Sequence, residues 1–185
     1  SRGCAEWLVV AARRGRGQLA GPDECGISYR GVGASRLIDG GAGDFRGERA
    51  CYMSTGVWSK KAIKEAKRDG EVEVVATSED RNFTYIPKGF AIPADLDYLH
   101  ITSNNTIYGT EYHEDIDSPV PLIADMSSDI LSRPLDVSTY ALIYGGAQKN
   151  LAPAGVACAT IREALRYGIV GALTTLRSYR AHVGR

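Results

Sequence analysis

Short apolar runs without alternation constrain this chain most. Residues 72–76, 96–102, 122–124, 142–144 and 156–161 are short stretches rich in apolar, often β-branched side chains, bounded by turn residues. Alternation would mark strands with one wet face, whereas continuous apolar character marks strands covered on both. Between them, residues 59–67 read as a helix. Ala62, Ile63 and Ala66 form one apolar stripe, and Lys60, Lys61, Lys64 and Lys67 lie towards water. Ser59 can cap its start and Gly70 can end it. A second helix is expected from Arg162, where Glu163, Ala164 and Leu165 are good helix formers. Strands separated by helices predict an α/β fold, a three-layer αβα sandwich around a mainly parallel mixed sheet.

The N-terminal part fits this scheme poorly. A helix over residues 5–12 is conceivable, but Arg13-Arg14-Gly15-Arg16-Gly17 ends it, and no periodic element follows until Ile27. Gly40, Gly41 and Gly43 each cost a helix about 1 kcal/mol relative to alanine. Residues 1–26 are therefore set apart from a domain over residues 27–185. The first fifty residues carry eight arginines and no lysine, and all six lysines follow. Formal net charge is zero, which argues against a general binder of nucleic acid or anionic membrane. No apolar run nears the roughly 20 residues that span a bilayer. Cys4, Cys25, Cys51 and Cys158 are scattered without zinc-ligand spacing. A soluble, cytoplasmic protein with reduced cysteines is the expectation.

Two strand ends carry chemistry. Run 140–144 closes on Gly145-Gly146-Ala147-Gln148-Lys149-Asn150, and run 121–124 closes on Asp125, 24 residues before the lysine. Taken alone, Lys149 reads as a solvated surface lysine and Asp125 as a helix N-cap. Taken together, an amine on a small-residue turn and a carboxylate at a neighbouring strand tip suit pyridoxal phosphate. That cofactor needs a Schiff-base lysine and an acidic partner for its ring nitrogen.

Several blocks, in order, resemble the phosphoserine aminotransferase family, fold-type I pyridoxal phosphate enzymes of class V. They are Thr55-Gly56-Val57-Trp58-Ser59-Lys60-Lys61-Ala62, Tyr85-Ile86-Pro87-Lys88 and Thr102-Ser103-Asn104-Asn105-Thr106-Ile107-Tyr108-Gly109. Further along come Ala124-Asp125-Met126-Ser127-Ser128-Asp129 and Gly146-Ala147-Gln148-Lys149-Asn150. The resemblance covers roughly residues 53–165. It implies that Lys149 forms the Schiff base and moves a proton, and that Asp125 pairs with the ring nitrogen. It further implies that Trp58 stacks on the ring, Thr106 bonds the ring-hydroxyl region and Gln148 reaches the phosphate. Ala34 and Ser35, in a small-residue turn, would offer backbone N–H groups to that phosphate, although Arg36-Leu37 stands where the family has Gln-Phe.

The implied reaction moves an amino group from glutamate to 3-phosphohydroxypyruvate, giving phosphoserine for L-serine biosynthesis, in a cytoplasmic homodimer. The family's His-Arg pair and downstream arginine, which clamp the anionic substrate, have no counterpart here. The C-terminal small domain is likewise missing. The chain then reads as a partial cofactor-binding large domain, with a catalytically inactive cofactor-binding fragment as the alternative.

Other candidates are weaker. Ser127 and Ser128 lack a Gly-x-Ser-x-Gly elbow and fit better as turn residues that hydrogen-bond near the cofactor. His100 and His113 lack metal-ligand spacing and read as core or surface residues. The early glycines do not meet the dinucleotide fingerprint.

Overall fold

The computed structural model describes residues 7–13, 49–67, 70–153 and 156–162. Among the described residues, nine strands, β1 Trp7–Arg13, β2 Arg49–Ser54, β3 Glu71–Thr77, β4 Leu99–Thr102, β5 Asn104–Asn105, β6 Thr110–Glu111, β7 Leu122–Asp125, β8 Leu142–Gly146 and β9 Val156–Arg162, accompany one α-helix, α1 Val57–Ala66. Seven of the strands form one sheet in the order β1-β9-β8-β7-β4-β2-β3. Neighbours from β3 through β8 are parallel, while β9 runs antiparallel to both β8 and β1. The expected mainly parallel mixed sheet is therefore present.

The central strands behave as their composition demands. All residues of β4, β7 and β8 are buried. Cys51, Met53, Leu99, Ile101, Leu122, Ala124 and Ile143 lie in one apolar cluster, joined by Leu96, Val120, Met126 and Tyr140 from the loops. Strand alternation sends Tyr52 and His100 to the opposite face, where their rings stack 4.8 Å apart.

Several expectations need correction. Residues 7–13 form a strand in place of the expected helix, because β9 supplies a full antiparallel partner and pairing overrides weak local preference. Residues 71–77 form the expected strand but are mostly exposed or half-buried, since β3 is the outer strand of the sheet as described. Its Glu-Val-Glu-Val start is the alternation of a one-faced strand. The strand expected from residue 96 begins at Leu99, although Asp97 and Tyr98 already exchange backbone bonds with Arg49 and Cys51. Arg162 is the last residue of β9, and the helix expected from there, over Glu163, Ala164 and Leu165, lies outside the described residues. β2 was not anticipated at all, because its mixture of Arg, Cys, Tyr and Ser lacks an apolar run.

Topology singles out one end of the sheet. From β2 the chain crosses through α1 to β3 on one side, and then returns to β4 on the other. The carboxyl ends of β2 and β4 thus flank a switch in winding direction, the crevice where open α/β sheets bind ligands. Among the described residues, no helix is long and apolar enough to cross a membrane.

Candidate active site

Trp58, Thr106 and Lys149 come after the carboxyl ends of the parallel strands β2, β4 and β8, and Asp125 is the last residue of β7. The local chemistry that fixes each one is distinct.

Helix α1 starts abruptly after β2. The Ser59 hydroxyl accepts the backbone N–H groups of Thr55 and Gly56, each at 2.9 Å, and lies 2.9 Å from the Gly56 carbonyl. Ser59 therefore secures the helix start from inside the first turn, as the third-position residue of a capping box does, and not as the N-cap expected from sequence. Trp58, half-buried, sits in that first turn. Its indole N–H is buried without a partner among the described residues. The amino groups of Lys61 and Lys149 lie 4.4 Å and 5.4 Å from its ring centre.

Thr106 occupies the tip of the β5–β6 hairpin. Asn105 carries the hairpin. Its backbone carbonyl accepts from Tyr108 and Gly109, at 3.0 and 2.8 Å, with Gly109 at φ +69° as a tight turn requires. The Asn105 side chain is buried and pairs with the Thr55 hydroxyl, 3.2 Å from its Nδ2. A Cβ on Gly56 would stand 2.6 Å from Asn105 Oδ1. Glycine is what lets the α1 start and the hairpin touch. Neither Asn105 nor Thr55 was singled out from sequence; a buried amide 50 residues from its partner leaves no local pattern.

Asp125 closes β7 and is 8 % exposed. One of its oxygens, Oδ1, accepts the Ser127 N–H at 3.0 Å and the Ser127 hydroxyl at 2.6 Å. Among the described residues the other oxygen has no hydrogen-bond donor. Burial pushes this carboxyl above the ordinary carboxylate range, and the Ser127 donors and the Lys149 charge pull it back part of the way. A neighbouring carboxyl, Asp129, is also raised by burial; the Ser103 hydroxyl, at 2.6 Å, opposes that shift.

Lys149 follows β8 on a turn closed by Leu151 and Ala152 N–H bonds to the Ala147 carbonyl. The lysine is exposed, and its Nζ donates to Thr106 Oγ1 at 3.2 Å. Thus Lys149 meets two of the expected residues, Thr106 and Trp58, and Asp125 ends the strand paired with β8. Gln148 is exposed and shows no hydrogen bond among the described residues. Ala34 and Ser35 lie outside the described residues. His100 is a core residue, while His113 is exposed. Cys51 is buried and free, and burial pushes its thiol up to about 12, which leaves it unreactive.

These residues fit a planar, cationic heteroaromatic ring. A buried carboxylate with one oxygen unengaged invites an N–H⁺ donor, a half-buried indole offers a stacking face, and a primary amine stands 5.4 Å from that indole's ring centre.

Comparison with known proteins agrees with this chemistry. Residues 43–171 match the family described as aminotransferase class-V. The phosphoserine aminotransferase of Phocaeicola vulgatus is 52% identical over 162 residues, covering 88% of this chain and 46% of that protein. That of Geobacillus kaustophilus is 53% identical over 138 residues, 74% of this chain and 38% of that one. Among solved structures, phosphoserine aminotransferase from Bacillus circulans subsp. alkalophilus superposes with a TM-score of 0.79 at 37% identity, covering 96% of this chain and 45% of that one. The enzyme from Trichomonas vaginalis, described with pyridoxal phosphate bound, gives 0.70 at 28%, over 96% and 47%. The chain spans about half the length of the relatives it matches, or less.

Proposed function

Because the chain belongs to the class-V aminotransferase family, we propose that it carries the pyridoxal phosphate site of a phosphoserine aminotransferase. The reaction is transfer of an amino group from glutamate to 3-phosphohydroxypyruvate, giving phosphoserine and 2-oxoglutarate. The observation that carries the reading is the contact of Lys149 with Thr106 and Trp58, with Asp125 at the end of the strand paired with β8. The choice of substrate rests on the relatives, which at about half identity are named for that activity.

Bound pyridoxal phosphate supplies a reactive carbonyl and a ring that stores an electron pair. The family resemblance of the sequence blocks supports a role for each of the chain's own groups. Lys149 would be the amine that holds the cofactor and the base that moves a proton at the substrate carbon. Asp125 holds the proton on the ring nitrogen. Its burial makes that pairing strong, because an unpaired carboxylate in such a place resists ionisation. Trp58 would stack on one ring face and keep water from it. Thr106, at 3.2 Å from the lysine amine, would hydrogen-bond the ring-hydroxyl region. Gln148, with Ala34 and Ser35, serves the phosphate. In the complete protein we place the site in a cytoplasmic homodimer acting on small amino and keto acids.

The test is spectroscopic and kinetic. Purified protein mixed with pyridoxal phosphate should develop the visible band of a lysine-bound cofactor, and Lys149→Ala should abolish it. Phosphoserine should discharge that band faster than alanine or serine at equal concentration. An unchanged band in Lys149→Ala refutes the lysine assignment; equal rates with alanine refute the choice of substrate.

A further inference from the structure

We propose that Ser127 is a positioning residue, which aims Asp125 at the cofactor ring nitrogen and ties the acid to the strand that delivers Lys149. The inference rests on the reading of Asp125 given above. Proton inventory carries it. The Ser127 hydroxyl has one hydrogen and can also accept. The Gly146 N–H, 3.1 Å away, can only donate, so it takes a lone pair of the Ser127 oxygen. Asp125 Oδ1, 2.6 Å away, accepts the hydroxyl hydrogen. The hydroxyl is thereby polarised in one direction, from the β8 backbone towards the carboxylate.

Two consequences follow. Oδ1 receives both the N–H and the O–H of Ser127, which locks the carboxylate rotation and leaves the other oxygen for the ring nitrogen. In addition, the residue bonded to Ser127 lies three positions before Lys149, so the acid and the amine share one mechanical link.

The backbone is built around this contact. Met126 N–H donates to the Tyr144 carbonyl at 2.8 Å, which extends the β7–β8 pairing into the turn. A Cβ on Gly145 would stand 3.0 Å from Ser127 Cα and 3.1 Å from its nitrogen. Only glycine there allows the turn to sit close enough for the Gly146 N–H to reach the hydroxyl. A serine that merely closed the Asp125 turn would need its N–H bond alone, and the turn would survive loss of the hydroxyl.

The experiment compares Ser127→Ala, and the isosteric pair Ser127→Thr and Ser127→Val, by titration with pyridoxal phosphate and by urea unfolding without it. Loss of a hydrogen bond to a charged group should weaken cofactor binding about tenfold or more in the Ala and Val variants. The Thr variant should bind within about twofold of the Ser127 protein. If the Val variant matches the Thr variant in both unfolding midpoint and cofactor affinity, the proposal is overturned. Asp125→Asn separates the two claims. If Asp125→Asn binds and absorbs as the unaltered protein does, the ring-nitrogen reading fails. If it loses binding while Ser127→Ala does not, only the Ser127 proposal fails.

Discussion

Replacing His100 with phenylalanine probes how dry the second face of the sheet is. His100 is 1 % exposed, its ring stacks on Tyr52 at 4.8 Å, and its Nε2 lies 2.8 Å from the Tyr144 hydroxyl. Its Nδ1 has no partner among the described residues. Burial alone pushes its pKa from 6.5 down to about 3, so the folded protein keeps the imidazole neutral while the unfolded chain takes up a proton near pH 6.5. The stabilising term is therefore complete above pH 6.5 and is lost as pH falls from there towards 3. Between pH 7 and pH 5 the loss amounts to about 2 kcal/mol, or about 1 M in urea midpoint at a slope of about 2 kcal/mol/M. Asp125 and Asp129 act with the opposite sign. Their raised pKa values favour the protonated folded state and add stability as pH falls. The readout is thus the difference between the two proteins, measured by urea unfolding at both pH values. His100→Phe keeps the stacking and removes the titration, so its deficit at pH 7 should shrink by about 2 kcal/mol at pH 5. A constant difference would mean that His100 is hydrated or protonated in the fold.

Two further substitutions test the frame around the site. Gly56→Ala should lower stability by about 1–3 kcal/mol and weaken cofactor binding, because the new methyl displaces the Asn105 side chain that sets the Thr106 hairpin; an unaltered urea midpoint would show that the contact relaxes freely. Tyr140→Phe should cost about 1 kcal/mol, since the buried hydroxyl donates to Asp115 Oδ1 at 2.9 Å beside Arg133; no change would mean that Arg133 alone satisfies that carboxylate.

What could be read from sequence divides along physical lines. Strands β7 and β8 were legible because burial between neighbours demands continuous apolar side chains, and β9 because its short apolar run has little else to become. β2 was not, although it stands between β3 and β4, because its Cys51, Tyr52 and Met53 match partners on two faces instead of following a period. The segment at residues 7–13 mixes Val with Ala and looks locally indifferent; its register with β9 decides it. Within the site, the lysine, the acid, the tryptophan and the threonine were legible as separate blocks whose order carries the family resemblance. What joins them was less so. Asn105 to Thr55 and Ser127 to Gly146 are contacts across 50 and 19 residues, one of them to backbone, and neither has a periodicity. Ser59 shows the same limit on a small scale: its sequence position suits an N-cap, but its hydroxyl bonds backward to Thr55 and Gly56, a choice made by how the chain leaves β2.

The most direct measurement is chemical trapping. Stoichiometric pyridoxal phosphate, borohydride reduction and peptide mapping would locate the amine that held the carbonyl. Lys149 should carry the label alone, and Asp125→Asn should diminish it without moving it. Label spread over Lys60, Lys61, Lys64, Lys67 and Lys88, with Lys149 no more modified than these, would contradict the site described here.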